Sequence, residues 1–162
     1  MSNIPLDFFR TNNVQNIAQD LLGKILYVNI NGHINSAIIT ETEAYQGPQD
    51  KASHAYNNKR TNRTEVMYKK GGCCYIYLCY GIHYLFNVVT NLKDVPHAIL
   101  IRAIEPLDGI KIMYKRRNIQ KETYNLTNGP GKLSIALGIN KTLNMVSLRS
   151  NKIWIQNNKT KI

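Results

Sequence analysis

Apolar positions near the start of the chain recur at helical spacing. Ile17, Leu21 and Leu22 fall on one face when residues 14–22 are placed on a helix. Either of two preceding asparagines can cap the start of this helix, and Gly23 can end it. The pattern predicts an N-terminal helix over residues 14–22.

Two apolar runs follow, at residues 25–30 and 34–43. Asn31 and Gly32 lie between them, and this pair is a strong signal for a tight β-hairpin. The pattern therefore predicts two antiparallel strands. Residues 46–63 are polar and irregular, which predicts a long loop of the kind that often carries function.

A strand-rich region opens after two adjacent glycines. Apolar residues predict strands at 74–80, 82–89 and 97–104. Gly81 separates the first two of these strands and suits a tight turn. The two strands on either side of Gly81 are thus expected to form a second hairpin.

The order of charged residues predicts a helix that begins at Glu105 and Pro106 and ends near residue 117. Acidic residues come first in this stretch and basic residues last. After a polar loop at 121–128, Pro130 can start a short helix that Gly138 ends.

A last strand is predicted over residues 147–155, and a basic tail follows at 159–162. Helices and strands are mixed, and successive strands are joined by short turns. The pattern therefore predicts an α+β fold with a largely antiparallel sheet. No internal repeat or linker divides the chain, so residues 1–162 are expected to form one domain.

Composition narrows the class of protein. The chain has 162 residues, 43% of them hydrophobic, with no apolar run long enough to span a bilayer. Its N-terminus lacks the features of a signal peptide, so a cytoplasmic location is expected. Lys and Arg number 21 against 10 Asp and Glu, which gives a net charge of +11. This excess favours a polyanionic partner, with nucleic acid ahead of an anionic membrane surface.

The cysteines argue against a disulfide framework and against a metal site. Cys73, Cys74 and Cys79 are odd in number, which fits a reducing compartment. Cys73 and Cys74 are adjacent and so lack zinc-knuckle spacing, and a metal site that also uses His54 or His83 is a minor alternative. No metal or other cofactor is expected.

Two carboxylates and an aromatic ring are candidates for chemistry. On a strand, Glu41, Glu43 and Tyr45 share one face. A solvent-facing sheet edge is the plain structural interpretation. A catalytic interpretation favours Glu43, because a partly buried carboxylate can act as a general base.

Four tyrosines fall within ten residues around Gly81. Tyr75 and Tyr77 share one strand face, and Tyr80 lies on the opposite face beside the turn. A tyrosine at a hairpin tip is a poor core residue but a good wedge for opening a base stack. Tyr75 or Tyr77 could line a pocket for a displaced base, while core packing is an alternative that fits Tyr75 and Tyr84.

Two basic residues also stand out. Arg102 lies within an otherwise apolar strand, so it needs a partner such as Glu43 or Glu41, or a phosphate to orient. Lys132 follows Gly-Pro-Gly at the start of the predicted short helix, a weak signal for phosphate binding.

Together these segments resemble the alkyladenine (3-methyladenine) DNA glycosylase family. The motifs ETEAY, GPxD with a later His, RT-x-R, YxYLxYGxHY, xxNVVT, LIRAxEP and LTNGPGKL occur in this order between Pro5 and Trp154. The resemblance implies a compact mixed domain with a curved antiparallel sheet and a protruding β-hairpin. It also implies an enzyme of base excision repair that removes alkylated or deaminated purines from double-stranded DNA and needs no cofactor. A monomer is expected, because one lesion in a duplex needs one pocket.

The resemblance implies a role for each matching residue. Glu43 corresponds to the general base that activates water, and Arg102 to the arginine that helps to hold this water. Tyr45, His54 and Tyr77 correspond to the residues that sandwich the flipped base, and Asn87 to the asparagine that disfavours guanine. Tyr80 corresponds to the tyrosine that fills the gap in the duplex, and Lys132 to a lysine that contacts the DNA backbone.

Two departures from the family pattern accompany the resemblance. Thr64 stands where the family usually has Asn after the arginine of RT-x-R. The chain also ends soon after IWIQ, without the PRIGI-like and PWRF-like segments, as expected of a C-terminally shortened member. Two alternatives to an active glycosylase are therefore a protein that binds lesion DNA without cutting it and a general RNA-binding module.

Overall fold

A single curled antiparallel sheet forms the centre of the molecule. The computed structural model describes residues 2–158. Six strands pair in the order β3-β4-β5-β2-β1-β6, and three helices accompany them. The strands are β1 (Ile25–Ile30), β2 (His33–Gln46), β3 (Cys74–Cys79), β4 (His83–Thr90), β5 (His97–Asp108) and β6 (Ile153–Gln156). The helices are α1 (Val14–Leu21), α2 (Ile110–Arg117) and α3 (Pro130–Leu137).

The two faces of the β3–β5 half of the sheet bury different sets of side chains. The main core packs against residues such as Ile76, Phe86 and Ile99. Alternate residues point to the other face, where Tyr75 and Ala98 belong to a second, smaller cluster. This second cluster also takes side chains from the loop segment between β2 and β3, so that segment covers the outer face of the sheet.

The sequence predicted the fold class and most elements. The α+β class, the single compact domain and the antiparallel sheet are confirmed. Asn13 caps α1 by accepting a hydrogen bond from the Asn16 backbone N–H. Gly81 lies in the turn of the β3–β4 hairpin, and Gly138 ends α3 in a left-handed conformation. The predicted loop is irregular apart from a short 3-10 turn at Tyr56–Asn58.

The predicted start of the second helix is wrong. Glu105 and Pro106 continue β5, where they pair with Ile38 and Ala37 of β2. The strand continues to Asp108, whose carboxylate accepts a hydrogen bond from the Ser36 hydroxyl at 2.5 Å. Helix α2 therefore begins only at Ile110. Its predicted basic end is present.

The predicted last strand is also too long. Only Ile153–Gln156 forms β6, which pairs with β1. Residues 147–152 make only two isolated β-bridges, from Ser147 to Cys73 and from Arg149 to Trp154, with turns and bends between them. In these turns the Ser147 and Ser150 hydroxyls accept backbone N–H groups. The predicted basic tail at 159–162 lies outside the described residues. Within residues 2–158, no helix has the length and apolar character needed to cross a bilayer.

Candidate active site

An ion pair joins the two central strands. Arg102 Nη1 on β5 donates to Glu43 Oε2 on β2 at 2.8 Å, and Arg102 Nε lies 3.9 Å from Glu41 Oε2. The pairing of β2 with β5 is irregular on both sides of Glu41, in the part of the sheet where both carboxylates contact the same guanidinium. The contact with Glu43 raises the pKa of Arg102. A carboxylate partner for Arg102, predicted to be Glu43 or Glu41, is confirmed, and both carboxylates lie within ion-pair distance.

This ion pair contributes little to stability. The side chains of Arg102 and Glu43 are 46% and 41% exposed. Half-exposed pairs of this kind are worth about 0–1 kcal/mol because water screens them. Water can therefore approach the Glu43 carboxylate, which makes the pair better suited to chemistry than to holding the fold together.

An aromatic pocket opens beside the ion pair. Tyr45 belongs to its wall. Burial raises the pKa of the Tyr45 phenol, and the nearby Glu43 carboxylate raises it further. Burial is likewise the main reason that the pKa of Tyr77 rises to about 12. The full lining comprises Tyr45, Ala52, Ser53, His54, Met67, Tyr75, Tyr77, Asn87 and Ala98.

The rings in this pocket form a compact cluster. The centroids of His54 and Tyr77 lie 4.6 Å apart at 73°, and those of Tyr75 and Tyr77 lie 5.3 Å apart at 33°. The guanidinium of Arg63 lies over the Tyr77 ring at 5.7 Å. Aromatic walls of this kind suit a flat heteroaromatic ring, and their negative faces favour an electron-poor one.

His54 reaches the pocket because its loop is tightly folded at both ends. At the first end, a Cβ on Gly47 would lie 2.5 Å from Ser53 Oγ, so only glycine fits this approach. At the other end, Arg60 bonds both Glu65 and Asp94.

Thr64, the departure from the family pattern, helps to close the same loop. It is buried, and its hydroxyl donates to the Lys59 carbonyl at 2.9 Å and accepts from the Thr61 N–H at 2.8 Å. A threonine can therefore tie this segment together through its own hydrogen bonds.

Asn87 lies inside the pocket and is fixed there. It is 3% exposed, and its Nδ2 donates to the Tyr75 carbonyl at 3.2 Å. The two residues face each other across the β3–β4 pair. A buried amide held in one orientation can discriminate between purine edges by shape and by hydrogen bonding.

Tyr80 projects from the molecule at the tip of the second hairpin. Its side chain is 94% exposed, and Ile82 beside it is 71% exposed. Tyr80 and Gly81 both have positive φ, and the Ile82 N–H donates to the Cys79 carbonyl to close the turn. The prediction of a solvated tyrosine at a protruding tip is confirmed.

Lys132 lies near the tip of this hairpin. It shares a cleft with Tyr80 and His83, and its ammonium donates to Asn128 Oδ1 at 2.9 Å. The start of α3 fits closely against the hairpin, because a Cβ on Gly131 would lie 2.7 Å from His83 Cγ.

The structure thus groups the predicted residues in three places. Glu43 and Arg102 form the ion pair, the pocket contains Tyr45, His54, Tyr77 and Asn87, and Tyr80 and Lys132 lie at the hairpin. Sequence reasoning missed the pocket residues Ala52, Ser53, Met67 and Ala98. The alternation of side-chain faces along β5 was the only sequence signal for Ala98. No local sequence pattern indicated Ala52, Ser53 or Met67. Within the described part of the chain, no three side chains are grouped as a metal site would require.

Known proteins match this chain over most of its length. Residues 7–162 match the family described as Methylpurine-DNA glycosylase (MPG). A relative from Natranaerobius thermophilus is 55% identical over 148 residues, which cover 90% of this chain and 74% of the relative. A relative from Chlamydia abortus is 50% identical, with 96% and 83% covered, and one from Bacillus cereus is 46% identical, with 94% and 76% covered. All three are provisionally named 3-methyladenine DNA glycosylase.

Proposed function

The chain belongs to the methylpurine-DNA glycosylase family, and on this premise we propose that it flips damaged purines out of duplex DNA and hydrolyses their N-glycosidic bond. The proposed substrates are 3-methyladenine, hypoxanthine and ethenoadenine. One observation carries the proposal: the Glu43–Arg102 pair lies directly beside a pocket walled by aromatic rings.

The proposed reaction needs only one carboxylate. Glu43 takes a proton from a water whose oxygen attacks C1′ of the sugar. The electrons of the breaking C1′–N bond leave with the base, and a base that was neutral in DNA, such as hypoxanthine or ethenoadenine, also takes up the proton given up by the water. The products are a free purine and an abasic site. An alkylated purine carries positive charge and leaves without a general acid, unlike the leaving group of ordinary glycosidases. Glu43 also stabilises the positive charge that develops on the sugar.

Arg102 is proposed to hold the attacking water and Glu43 in place. Its Nη1 engages Oε2 of the carboxylate, which fixes the orientation of that group. Because the pair is half exposed, water can still reach the carboxylate that Arg102 orients.

Recognition of the base is proposed to depend on stacking. Tyr45, His54 and Tyr77 would enclose the flipped ring, and each aromatic stack is worth about 1–3 kcal/mol. Asn87 would crowd the exocyclic amine of guanine and so disfavour undamaged guanine. Damaged bases also pair and stack less well in the duplex, which lowers the cost of flipping them.

DNA contact is proposed to centre on the hairpin. The exposed ring of Tyr80 would enter the base stack and fill the gap left by the flipped nucleotide. Lys132, in the neighbouring cleft, would contact a backbone phosphate. One lesion needs one pocket, so the protein is proposed to act as a monomer without cofactor.

The test is a panel of duplex oligonucleotides that carry hypoxanthine, ethenoadenine or no lesion, together with alkylated DNA for 3-methyladenine. We expect free base and an equal amount of alkali-labile abasic site from the lesion substrates alone. Tight lesion binding without base release would overturn the proposal and favour a binding-only protein. Stronger binding to single-stranded RNA than to lesion duplex would favour an RNA-binding module.

A further inference from the structure

Tyr75 contacts two walls of the pocket at once. Its hydroxyl lies 2.9 Å from Nδ1 of His54, and its backbone carbonyl accepts the hydrogen bond from Asn87 described above. Tyr75 is only 2% exposed, whereas His54 is exposed to solvent over part of its surface. The buried tyrosine is therefore the fixed member of the pair, and the histidine on the loop is the member that it positions.

The direction of the Tyr75–His54 hydrogen bond follows from the protonation of the phenol. Burial raises the pKa of Tyr75 well above its ordinary value, so the hydroxyl keeps its proton at any working pH. Within residues 2–158, His54 Nδ1 is the hydrogen-bond partner of this hydroxyl. A buried O–H that did not donate to Nδ1 would lose its acceptor, at a cost typical of an unsatisfied polar group. We assign Tyr75 as the donor and His54 Nδ1 as the acceptor.

This assignment fixes the state of the imidazole. With Nδ1 accepting, neutral His54 carries its proton on Nε2. A second proton would have to go to Nδ1, where it would displace the proton that Tyr75 donates. The hydrogen bond thus opposes protonation of the ring. Partial burial of the ring, with Arg63 and Lys59 nearby, acts in the same direction and lowers the pKa of His54.

A neutral histidine matters for the substrate class assigned above. A 3-methyladenine nucleotide is a cation before its base is released, and His54 belongs to the wall against which this base would stack. A protonated imidazole in contact with a cationic purine would repel it in a site that excludes much of the water. A neutral imidazole leaves a cationic base and a neutral base equally acceptable on this side of the pocket.

We propose that Tyr75 is a positioning residue for base selection, which holds His54 as the neutral Nε2–H tautomer so that the pocket accepts cationic purines. This inference rests on the proposed function for its substrate, but the tautomer itself does not. The other ionisable groups facing or close to His54 are Tyr77 on β3, Tyr45 on β2, and Arg63 and Lys59 on the loop.

The first arm of the test is independent of activity. Nitrogen-15 NMR of the histidines, with His54 assigned through His54→Gln, should show the Nε2–H tautomer in the wild type. In Tyr75→Phe, the titration midpoint of His54 should rise by about 0.5–1 pH unit, the amount expected for one lost hydrogen bond. Tyr68→Phe is the matched control, because it removes a buried hydroxyl that has no hydrogen-bond partner within the described residues. This control should leave His54 unchanged.

The second arm compares substrates. The measured quantity is the ratio of the 3-methyladenine release rate to the ethenoadenine release rate. The effect of Glu43 ionisation cancels in this ratio, because both reactions depend on Glu43. Relative to wild type, Tyr75→Phe should lower this ratio severalfold at pH 6 and leave it nearly unchanged at pH 8. Tyr68→Phe should follow the wild type at both pH values.

The two arms separate the failure of this inference from the failure of the proposed function. An Nδ1–H tautomer in the wild type, or an unchanged His54 midpoint in Tyr75→Phe, would overturn the inference whatever the activity. If Tyr75→Phe does not fold, the wild-type tautomer decides alone. If the wild type releases no base, the proposed function fails and the role in selecting cationic purines fails with it, while the tautomer is still read from the spectra. A substrate ratio that is the same in wild type and Tyr75→Phe at pH 6 would overturn the selection role.

Discussion

Glu43 Oε2 and Arg102 Nη1 lie 2.8 Å apart across the β2–β5 pair, at the edge of a pocket that contains Tyr45. The ion pair is half exposed and the pocket is lined by rings, so charge and stacking surface meet at one point of the sheet. We propose that a carboxylate at this point reaches the sugar of a nucleotide whose base occupies the pocket.

Replacing Arg102 should reduce the rate far more than the stability. For Arg102→Ala we expect a loss on the order of 10²-fold in single-turnover base release, because one charged donor is removed from the reacting groups. Thermal unfolding should change by less than about 1 kcal/mol, since the pair is screened by water. Arg149→Ala, at an exposed position, is the matched control and should match the wild type. A large loss of stability with normal catalysis would contradict this assignment.

Replacing Tyr80 should affect flipping but not folding. For Tyr80→Ala we expect slower base release and a weaker increase in 2-aminopurine fluorescence beside the lesion, because the wedge is lost. Tyr80→Phe should retain most of the rate, since the ring and not the hydroxyl fills the gap. Tyr124→Ala provides the control, because Tyr124 is also fully exposed but lies outside the cleft at the hairpin. Equal rates for Tyr80→Ala and Tyr124→Ala would argue against the wedge.

Shortening Asn87 should relax the rejection of guanine. In Asn87→Ser the buried amide no longer occupies the pocket, so release of guanine or 7-methylguanine should rise relative to hypoxanthine. Loss of the hydrogen bond to the Tyr75 carbonyl should also cost about 1 kcal/mol of stability. The measurement is the ratio of released bases from mixed substrates. An unchanged ratio from folded protein would exclude Asn87 as the discriminating group.

Acid should destabilise the protein through His97. Burial lowers the pKa of His97, and Asn91 Nδ2 donates to its Nδ1, so the folded state resists protonation. The unfolded chain takes up this proton near pH 6.5, so stability falls as the pH drops below that value. Urea unfolding between pH 7.5 and 5.5 should show this loss. His97→Gln should flatten the curve, whereas His33→Gln, at the exposed β1–β2 hairpin, should not. Parallel curves for all three proteins would contradict the account.

Local patterns were sufficient to predict the half of the site that lies on strands. Alternation along β2 placed Glu43 and Tyr45 on one face, and alternation along β3 did the same for Tyr75 and Tyr77. The loop that brings His54 to Tyr75 is fixed by contacts distant in sequence, such as the Arg60–Asp94 ion pair, and these leave no periodic signal. The resemblance to a known family, and not the local pattern, supplied His54.

The same limit explains the wrong start of the second helix. The order of charges around Glu105 and Pro106 fits a helix dipole, but the long β2 strand offers backbone partners that extend β5 instead. Tertiary pairing overrides a local preference of this size. The hydrogen bond between Tyr75 and His54 was missed for a related reason, because strand alternation gives the face of a side chain and not its partner.

The most direct test of the central claim is single-turnover base release from a lesion duplex by wild type and by Glu43→Gln. Glu105→Gln is the matched control, since Glu105 is an exposed carboxylate on β5 outside the base pocket. We expect Glu43→Gln to bind the lesion duplex but to release base at least about 10²-fold more slowly, while Glu105→Gln matches the wild type. If Glu43→Gln released base at the wild-type rate, Glu43 would not be the general base, and the catalytic centre would have to lie elsewhere.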